Sequence, residues 1–294
     1  MVWNMDSQAV KSDVAQFWDS QPCGSFVSKE VRGGRAFFEQ VAQYRYATQP
    51  FMQTLIGFQK FSKRRILEVG CGLGTDLRQF ASAGAQVVGV DLSMQSVSLA
   101  RQHFRAFGTE GSFSQSDGEH LPFADQSFDA IYSFGVLHHT PNTQTAFDEC
   151  YRVLKSGGEF IVMLYNRVSW LVAVEPYLVA IKRLLLRQPL PSNFINPSET
   201  IRRYDGAENP LGRAYSPREV RQLLHRFTEV ELSICHPLII EGPQFARSYS
   251  RFLEWSRINR YWGFWIVAHA RKLDSKRKAE EHKKNASRKR QYSC

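Results

Sequence analysis

The sequence predicts an α/β protein with a doubly wound sheet, and three observations carry that expectation. From residue 65 onward, short aliphatic or β-branched runs alternate with longer helical stretches. One such run, Ile66-Leu67-Glu68-Val69, leads directly into glycines at alternate positions, Gly70, Gly72 and Gly74, and then into a helical stretch. The chain of 294 residues is 43% hydrophobic and 22% charged with 12 prolines, a composition able to bury a core. Strand and helix in strict alternation pair the strands in parallel through crossover helices.

The N-terminal elements are helical. Asp13 to Trp18 begins a helix that Gln21-Pro22-Cys23-Gly24 ends, while Arg35 to Tyr46 and Phe51 to Phe61 carry aromatics at helical spacing. Residues 1–60 therefore read as an N-terminal helical cap. Strands are expected at Arg65 to Val69, Gln86 to Val90, Gly111 to Gln115, Phe128 to Ser133 and Glu159 to Tyr165. Thr75 to Ala83, Ser93 to Phe107 and Thr143 to Leu154 supply the helices between them, and Lys155-Ser156-Gly157-Gly158 turns the chain into the fifth strand. The rhythm breaks over residues 166–215, where Pro189, Pro191, Pro197 and Pro210 stand beside an apolar, basic helix; this reads as an insertion after the fifth strand that serves as a substrate lid. It resumes at Ser216-Pro217-Arg218-Glu219, a Ser cap with Pro first and Glu third in the helix. Strands at Phe227 to Cys235 and Tyr261 to Ala270 complete a seven-stranded domain over residues 61–270.

A net charge of +10 first suggests a polyanionic partner. Its distribution changes that reading, because residues 271–294 hold ten Lys or Arg against three Asp or Glu, leaving the rest of the chain nearly balanced. This basic tail has too few apolar residues for a core and reads as a flexible extension. Five cysteines with no C-x-x-C spacing offer no metal-ligand set and no dense disulfide framework, which points to a reducing, cytoplasmic address. The N-terminus reaches polar and acidic residues before any apolar run, unlike a secretory signal. No uncharged apolar run approaches the ~20 residues of a spanning helix. The nearest, Trp170 to Leu186, is interrupted by Glu175, Pro176, Lys182 and Arg183.

The glycine spacing separates two cofactor readings. A dinucleotide fingerprint is G-x-G-x-x-G, whereas Glu68-Val69-Gly70-Cys71-Gly72-Leu73-Gly74 has the form E-x-G-x-G-x-G. Here the sequence resembles the class I S-adenosylmethionine-dependent methyltransferases, in the small-molecule group typified by methyltransferase domain 11. Further motifs fall in matching order: Val88-Gly89-Val90-Asp91-Leu92-Ser93, Ser116-Asp117-Gly118-Glu119, Leu121-Pro122-Phe123-Ala124-Asp125-Gln126-Ser127-Phe128-Asp129, Ser133-Phe134-Gly135-Val136-Leu137-His138-His139, and Arg152-Val153-Leu154-Lys155-Ser156-Gly157-Gly158. Ser156 stands where the family's turn usually has proline. The likeness covers residues 60–165 closely and continues more weakly to residue 270.

The resemblance implies a Rossmann-like methyltransferase sheet with S-adenosyl-L-methionine as cofactor. It also implies cofactor-binding roles for Glu68, Gly70, Cys71, Gly72, Gly74, Asp91, Leu92, Asp117, Gly118, Glu119 and Ser133. Asp91 would hold the ribose hydroxyls and Asp117 with its neighbours the adenine edge. Each residue also has an ordinary structural reading: a tight turn for the glycines, a helix cap for Asp91, a turn for Asp117, and packing for Cys71.

A sulfonium methyl donor is already activated, so the protein mainly aligns the nucleophile and excludes water. A base is needed only where the acceptor loses a proton. His138 and His139, just beyond the fourth strand, are the catalytic candidates, against a bland role in shaping the turn. Trp18, Phe37, Phe38, Tyr44, Tyr46, Trp170 and Tyr177 make the cap and insertion aromatic, as suits a small organic acceptor, and Arg45 and Tyr46 lie close enough in sequence to reach the cofactor.

The expected function is methyl transfer to an O, S or N atom of a small molecule. The alternatives are a membrane-associated lipid or quinone-like acceptor, an RNA or DNA acceptor, and a noncatalytic or oxidoreductase α/β domain. The helix Trp170 to Arg187 is apolar and basic enough for peripheral membrane contact. Nucleic acid is disfavoured because the fourth strand exits as Ser133-Phe134-Gly135-Val136, not as the [DN]-P-P-[FY] of base-amine methyltransferases.

Overall fold

The computed structural model describes residues 7–190, 193–206, 209–235 and 262–274. The first strand, β1 (Arg65–Val69), lies inside one sheet whose order is β3-β2-β1-β4-β5-β8-β7. Here β2 is Gln86–Asp91, β3 Ser112–Gln115, β4 Phe128–Phe134, β5 Leu154–Asn166, β7 Thr228–Cys235 and β8 Trp265–Arg271. The pairs from β3 through β5 are parallel, and β8 runs antiparallel to both β5 and β7. A two-residue strand, β6 (Ala214–Tyr215), adds to β5. The sheet is thus the expected seven-stranded one plus this short addition.

Side chains alternate between two buried faces, as an internal sheet requires. On β5, Ile161, Met163 and Tyr165 pack on one side, and Phe160, Val162 and Leu164 on the other. The first side is covered by α4 (Thr75–Ser82) and α5 (Met94–Ala106), the second by α6 (Thr143–Val153) and α10 (Pro217–Leu223). Ser93 caps α5 by accepting from the Ser96 N–H. At α10 the expected capping box is present: the Ser216 side chain accepts from the Glu219 N–H, and the Glu219 carboxylate accepts from the Ser216 N–H.

The N-terminal helices are α1 (Ser7–Ser20), α2 (Arg35–Thr48) and α3 (Phe51–Ile56). The helix expected to run from Phe51 to Phe61 breaks at Gly57, whose φ of 63° ends α3 before a 3-10 turn over Phe58–Phe61. Met52, Ile56, Phe58 and Phe61 join the same buried cluster as Ile66 and Tyr132, so this cap shares its core with the sheet.

The insertion carries α7 (Trp170–Ala173), α8 (Glu175–Leu185) and α9 (Pro197–Asp205). The basic tail begins later than its composition suggests. Arg271 closes β8 opposite Glu159, and the Lys272 ammonium donates to the Tyr151 and Leu154 carbonyls at 2.7 Å each. Residues 275–294, the bulk of that tail, lie outside the described residues, as does Tyr261.

Candidate active site

Strand order reverses between β1 and β4, and open α/β sheets place ligands outside the carboxyl ends of the strands at such a point. A cavity of about 1520 Å³ opens there. It exceeds the ~300–1,000 Å³ of an ordinary single-ligand pocket, leaving room for a cofactor and an acceptor together.

One end of the cavity is built from backbone. Gly70 and Cys71 both donate N–H to the Val90 carbonyl, at 2.8 and 2.9 Å, which pins the loop after β1 onto β2. Gly70 has φ 78°, and a Cβ there would stand 2.2 Å from a Val136 methyl. Gly72 has φ 50°, and a Cβ there would meet nothing within 4 Å, so a ligand can approach the main chain at that point. Gly74 is tight for another reason: its Cβ would press on Ala100 and Phe104 of α5 at 3.3 Å.

Asp91 ends β2 facing this loop, its two oxygens accepting from the Gly72 N–H at 2.8 Å and the Ser93 N–H at 2.9 Å. Burial raises its carboxyl to about 6 even though those donors favour the charged form.

The floor below the loop holds a carboxylate pair. Asp76, in the first turn of α4, accepts from Arg45 through both oxygens, from the Tyr46 hydroxyl at 2.9 Å and from the Tyr132 hydroxyl at 2.8 Å. Glu68 is buried beside it, and its Oε2 has no hydrogen-bond partner among the described residues. Burial, reinforced by the Asp76 charge, pushes the Glu68 carboxyl well above its usual range.

An unsatisfied buried oxygen is costly unless a ligand supplies a donor. The amino-acid end of S-adenosylmethionine carries an ammonium that Glu68 would accept and a carboxylate that suits Arg45. With the open approach at Gly72 and the Asp91 carboxylate, the residues present fit this cofactor.

The far rim is closed by α1. The Lys11 ammonium lies 2.7 Å from Asp117 and 2.6 Å from Glu119. Burial works to raise both carboxyls, but the lysine holds each below its ordinary value. Asp117, Glu119 and His120 are clustered closely enough to suggest metal ligands, yet Lys11 already supplies the compensating charge. Asp19, at the other end of α1, accepts from the Ser93 hydroxyl at 2.6 Å and the Gln95 N–H at 2.9 Å.

The sequence-derived site residues divide into two groups. Glu68, Gly70, Cys71, Gly72, Asp91, Leu92, Asp117 and Gly118 line the cavity. Gly74, Glu119 and Ser133 do not: Gly74 packs α5, Glu119 accepts from the Asn142 N–H and holds Lys11, and the Ser133 hydroxyl donates to the Val69 carbonyl. These three support the loops that form the wall.

The two histidines also part company. His139 lines the cavity, whereas His138 is fully buried outside the lining, packed on Tyr165 at 4.0 Å between ring centres. Neither His138 nitrogen has a partner among the described residues, and burial together with the adjacent His139 pushes its imidazole well below the usual value. A neutral, enclosed ring cannot reach an acceptor.

The acceptor end is walled by side chains: Trp18, Phe134, Tyr165, Leu171, Tyr204 and Trp265. Of the aromatics singled out in the sequence, Trp18, Tyr44 and Tyr46 line the cavity. Phe37 and Phe38 pack instead with Leu73 and Leu99, and Trp170 and Tyr177 face outward. Sequence reasoning missed Lys11, Asp76, Tyr165 and Asp205. Only Asp76 carried a signal, an acid in the first turn after the glycines, and that pattern ordinarily complements a helix dipole.

Comparison with known proteins agrees with this geometry. Residues 67–162 match a family model described as a methyltransferase domain. The chain is 35% identical over 179 residues to a ubiquinone biosynthesis O-methyltransferase of Alkalilimnicola ehrlichii, covering 57% of this chain and 70% of the relative. A protein of the same description from Idiomarina loihiensis is 35% identical over 153 residues, covering 49% of this chain and 60% of the relative. Among solved structures, an S-adenosylmethionine-dependent methyltransferase from Mesorhizobium loti superposes with a TM-score of 0.54 at 18% identity, covering 77% of this chain and 98% of the other.

The fold and site therefore define a class I methyltransferase. The chain belongs to the S-adenosylmethionine-dependent methyltransferase family, and S-adenosylmethionine is its cofactor.

Proposed function

We propose that the enzyme methylates a hydroxyl oxygen of a small, largely apolar aromatic acceptor of the phenol or quinol type. One observation carries this reading: beyond the cofactor loop the cavity is walled by Trp18, Phe134, Tyr165, Tyr204 and Trp265, with the His139 imidazole set into that wall. The names of the two relatives, both O-methyltransferases of ubiquinone biosynthesis, support the same acceptor class.

The cofactor supplies an electrophilic methyl carbon on a sulfonium. The loop from Glu68 to Gly72, with Asp91, Asp117 and Gly118, holds it in place. The aromatic wall excludes water and orients the acceptor ring, so that proximity and alignment carry much of the acceleration. His139 removes the hydroxyl proton. A turnover screen across phenol, thiol, carboxylate and amine panels tests the reading. Methylation confined to hydroxyls is expected, and a preference for thiols or amines overturns it.

A specific feature of α8 also supports peripheral membrane contact. Tyr177, Leu178, Ile181, Leu184 and Leu185 fall on one helical arc and are all at least half exposed, whereas Pro176 is buried and Val179, Ala180 and Arg183 are partly covered. Exposed Lys182 and Arg187 accompany them, a pairing that suits an anionic lipid surface from which an apolar acceptor would be drawn. Among the described residues no helix is long and apolar enough to cross a membrane. Sedimentation with phosphatidylglycerol vesicles but not with phosphatidylcholine vesicles is expected, and recovery of all the protein in both supernatants contradicts the contact. The buried thiols Cys71 and Cys150 suit a reducing compartment, and we place the enzyme in the cytoplasm.

A further inference from the structure

A lysine stands on the inward face of α1, where its neighbours are apolar. Val10, Val14 and Phe17 are buried on that face, and Lys11 among them is 8% exposed. An ammonium so placed is costly unless acids answer it. Two do, Asp117 and Glu119, both on the loop that follows β3.

The two acids are held differently. Glu119 is tied to the chain after β4: it accepts from the Thr140 hydroxyl, from the Asn142 N–H at 2.7 Å and from the Asn142 amide at 3.4 Å. Asp117, which lines the cavity, has less support. Its Oδ1 accepts from the Glu119 N–H at 2.9 Å, and its Oδ2 accepts from Lys11 at 2.7 Å. The other group near Oδ2 is the exposed His120 imidazole, with Nδ1 at 3.4 Å. Among the described residues, the cap lysine is therefore the one close donor that fixes Oδ2. A carboxylate has about four acceptor sites, so lone pairs remain for a ligand.

The loop of Asp117 starts beside the end of β2. β3 pairs with β2 in parallel, and the Ser116 N–H donates to the Asp91 carbonyl at 2.9 Å. With the cofactor ribose at Asp91, its base falls at Asp117.

We propose that Lys11 is a positioning residue for the adenine of the cofactor: its ammonium pins the Asp117 carboxylate so that the remaining lone pairs accept from the exocyclic amine. The inference rests on the adenine assignment of Asp117 and adds to it a residue of the N-terminal cap. An acceptor fixed in advance spares the ligand the cost of ordering it. It also sets selectivity, because a carboxylate attracts an amine hydrogen and repels a carbonyl oxygen at the same place. Burial opposes the ionised form of Asp117, and the lysine outweighs it, holding that carboxyl below its ordinary value. Without Lys11, two carboxylates would stand within 4.8 Å of each other with no cation between them. Glu119 keeps its donors from Thr140 and Asn142, so Asp117 is the acid that turns away or takes a proton.

Calorimetric titration of the full chain with S-adenosylhomocysteine and S-inosylhomocysteine tests this. The inosine ligand carries a base carbonyl where the adenosine ligand carries the amine. Wild type is expected to prefer the adenosine form by at least about 100-fold. In Lys11→Met the adenosine form should bind about tenfold more weakly while the inosine form stays within about threefold of its wild-type affinity, so the preference shrinks. Lys11→Arg keeps the charge and should hold the preference within about threefold of wild type, which keeps the test open should Lys11→Met fold poorly.

Equal losses for both ligands in Lys11→Met would make the lysine a tie between α1 and the sheet and nothing more, and would overturn the proposal. A lost preference in Lys11→Arg would overturn it too. Asp117→Asn separates the two assignments, since its side chain can donate to the carbonyl and should also narrow the preference. If Asp117→Asn narrows it while Lys11→Met does not, the role of Lys11 falls and Asp117 stands. If Asp117→Asn leaves it unchanged, the adenine assignment falls and Lys11 with it.

Discussion

The two ends of the cavity are made of different material. At the cofactor end the wall is largely main chain, set by Gly70, Gly72 and the β2 terminus, and apart from Arg45 its residues fall between positions 68 and 118. At the acceptor end the wall is side chain, assembled from α1, the end of β4, β5, the insertion and β8. A backbone-built site restricts residue type, since only glycine accepts both the positive φ and the close approach. A side-chain-built site needs only bulk, shape and one polar group placed correctly, which many sequences supply.

Between the two ends stands Asp76, and removing it should have the largest effect. Asp76→Ala leaves the Arg45 guanidinium and the Tyr46 and Tyr132 hydroxyls without their shared acceptor. Breaking a buried pair on one side costs about 3–5 kcal/mol, so a fall in melting temperature of about 10 °C is expected in thermal denaturation. A shift under about 2 °C would show that the cluster does not join cap to sheet.

Gly70→Ala attacks the backbone end alone. A residue at φ 78° with its Cβ 2.2 Å from Val136 must displace the loop. An affinity for S-adenosylhomocysteine weaker by about 10- to 100-fold is expected by calorimetry. Unchanged affinity would mean that the loop is not the cofactor cradle.

A smaller effect follows from pH. Asp91 has a carboxyl raised to about 6, and its charged form is the better acceptor for hydroxyls. Cofactor affinity should therefore hold above pH 6 and decline as pH falls through it, and Asp91→Asn should flatten that dependence. A profile equally steep in the variant assigns the titration to another group.

The smallest effect on cofactor binding belongs to the acceptor end. Trp18→Ala should raise KM for a phenolic acceptor severalfold while S-adenosylhomocysteine affinity stays within about twofold, because the two ends share few contacts. A large loss of cofactor affinity would erase the distinction between them.

This division also explains what the sequence disclosed. β1 was legible to the residue, because a buried parallel strand followed by glycines has few other readings. The capping box at Ser216 was equally plain, since Pro and Glu at fixed offsets leave little choice. Asp205 was not legible: it sits 66 residues beyond His139, in an insertion with no strand rhythm, and only the fold brings the two together. Phe37 and Phe38 could not be sorted from the cavity-lining aromatics, because aromatic spacing on a helix looks the same whether it faces a ligand or Leu73. His138 and His139 are adjacent in sequence, and the 3-10 turn over Leu137–His139 sends one ring into the core and the other to the cavity.

Calorimetric titration of S-adenosylhomocysteine into the wild type, Asp91→Ala and His139→Gln tests the two-ended site most directly. Affinity at least about tenfold weaker for Asp91→Ala, with His139→Gln indistinguishable from wild type, is the expected result. Unchanged affinity in Asp91→Ala, or an equal loss in both variants, would contradict it.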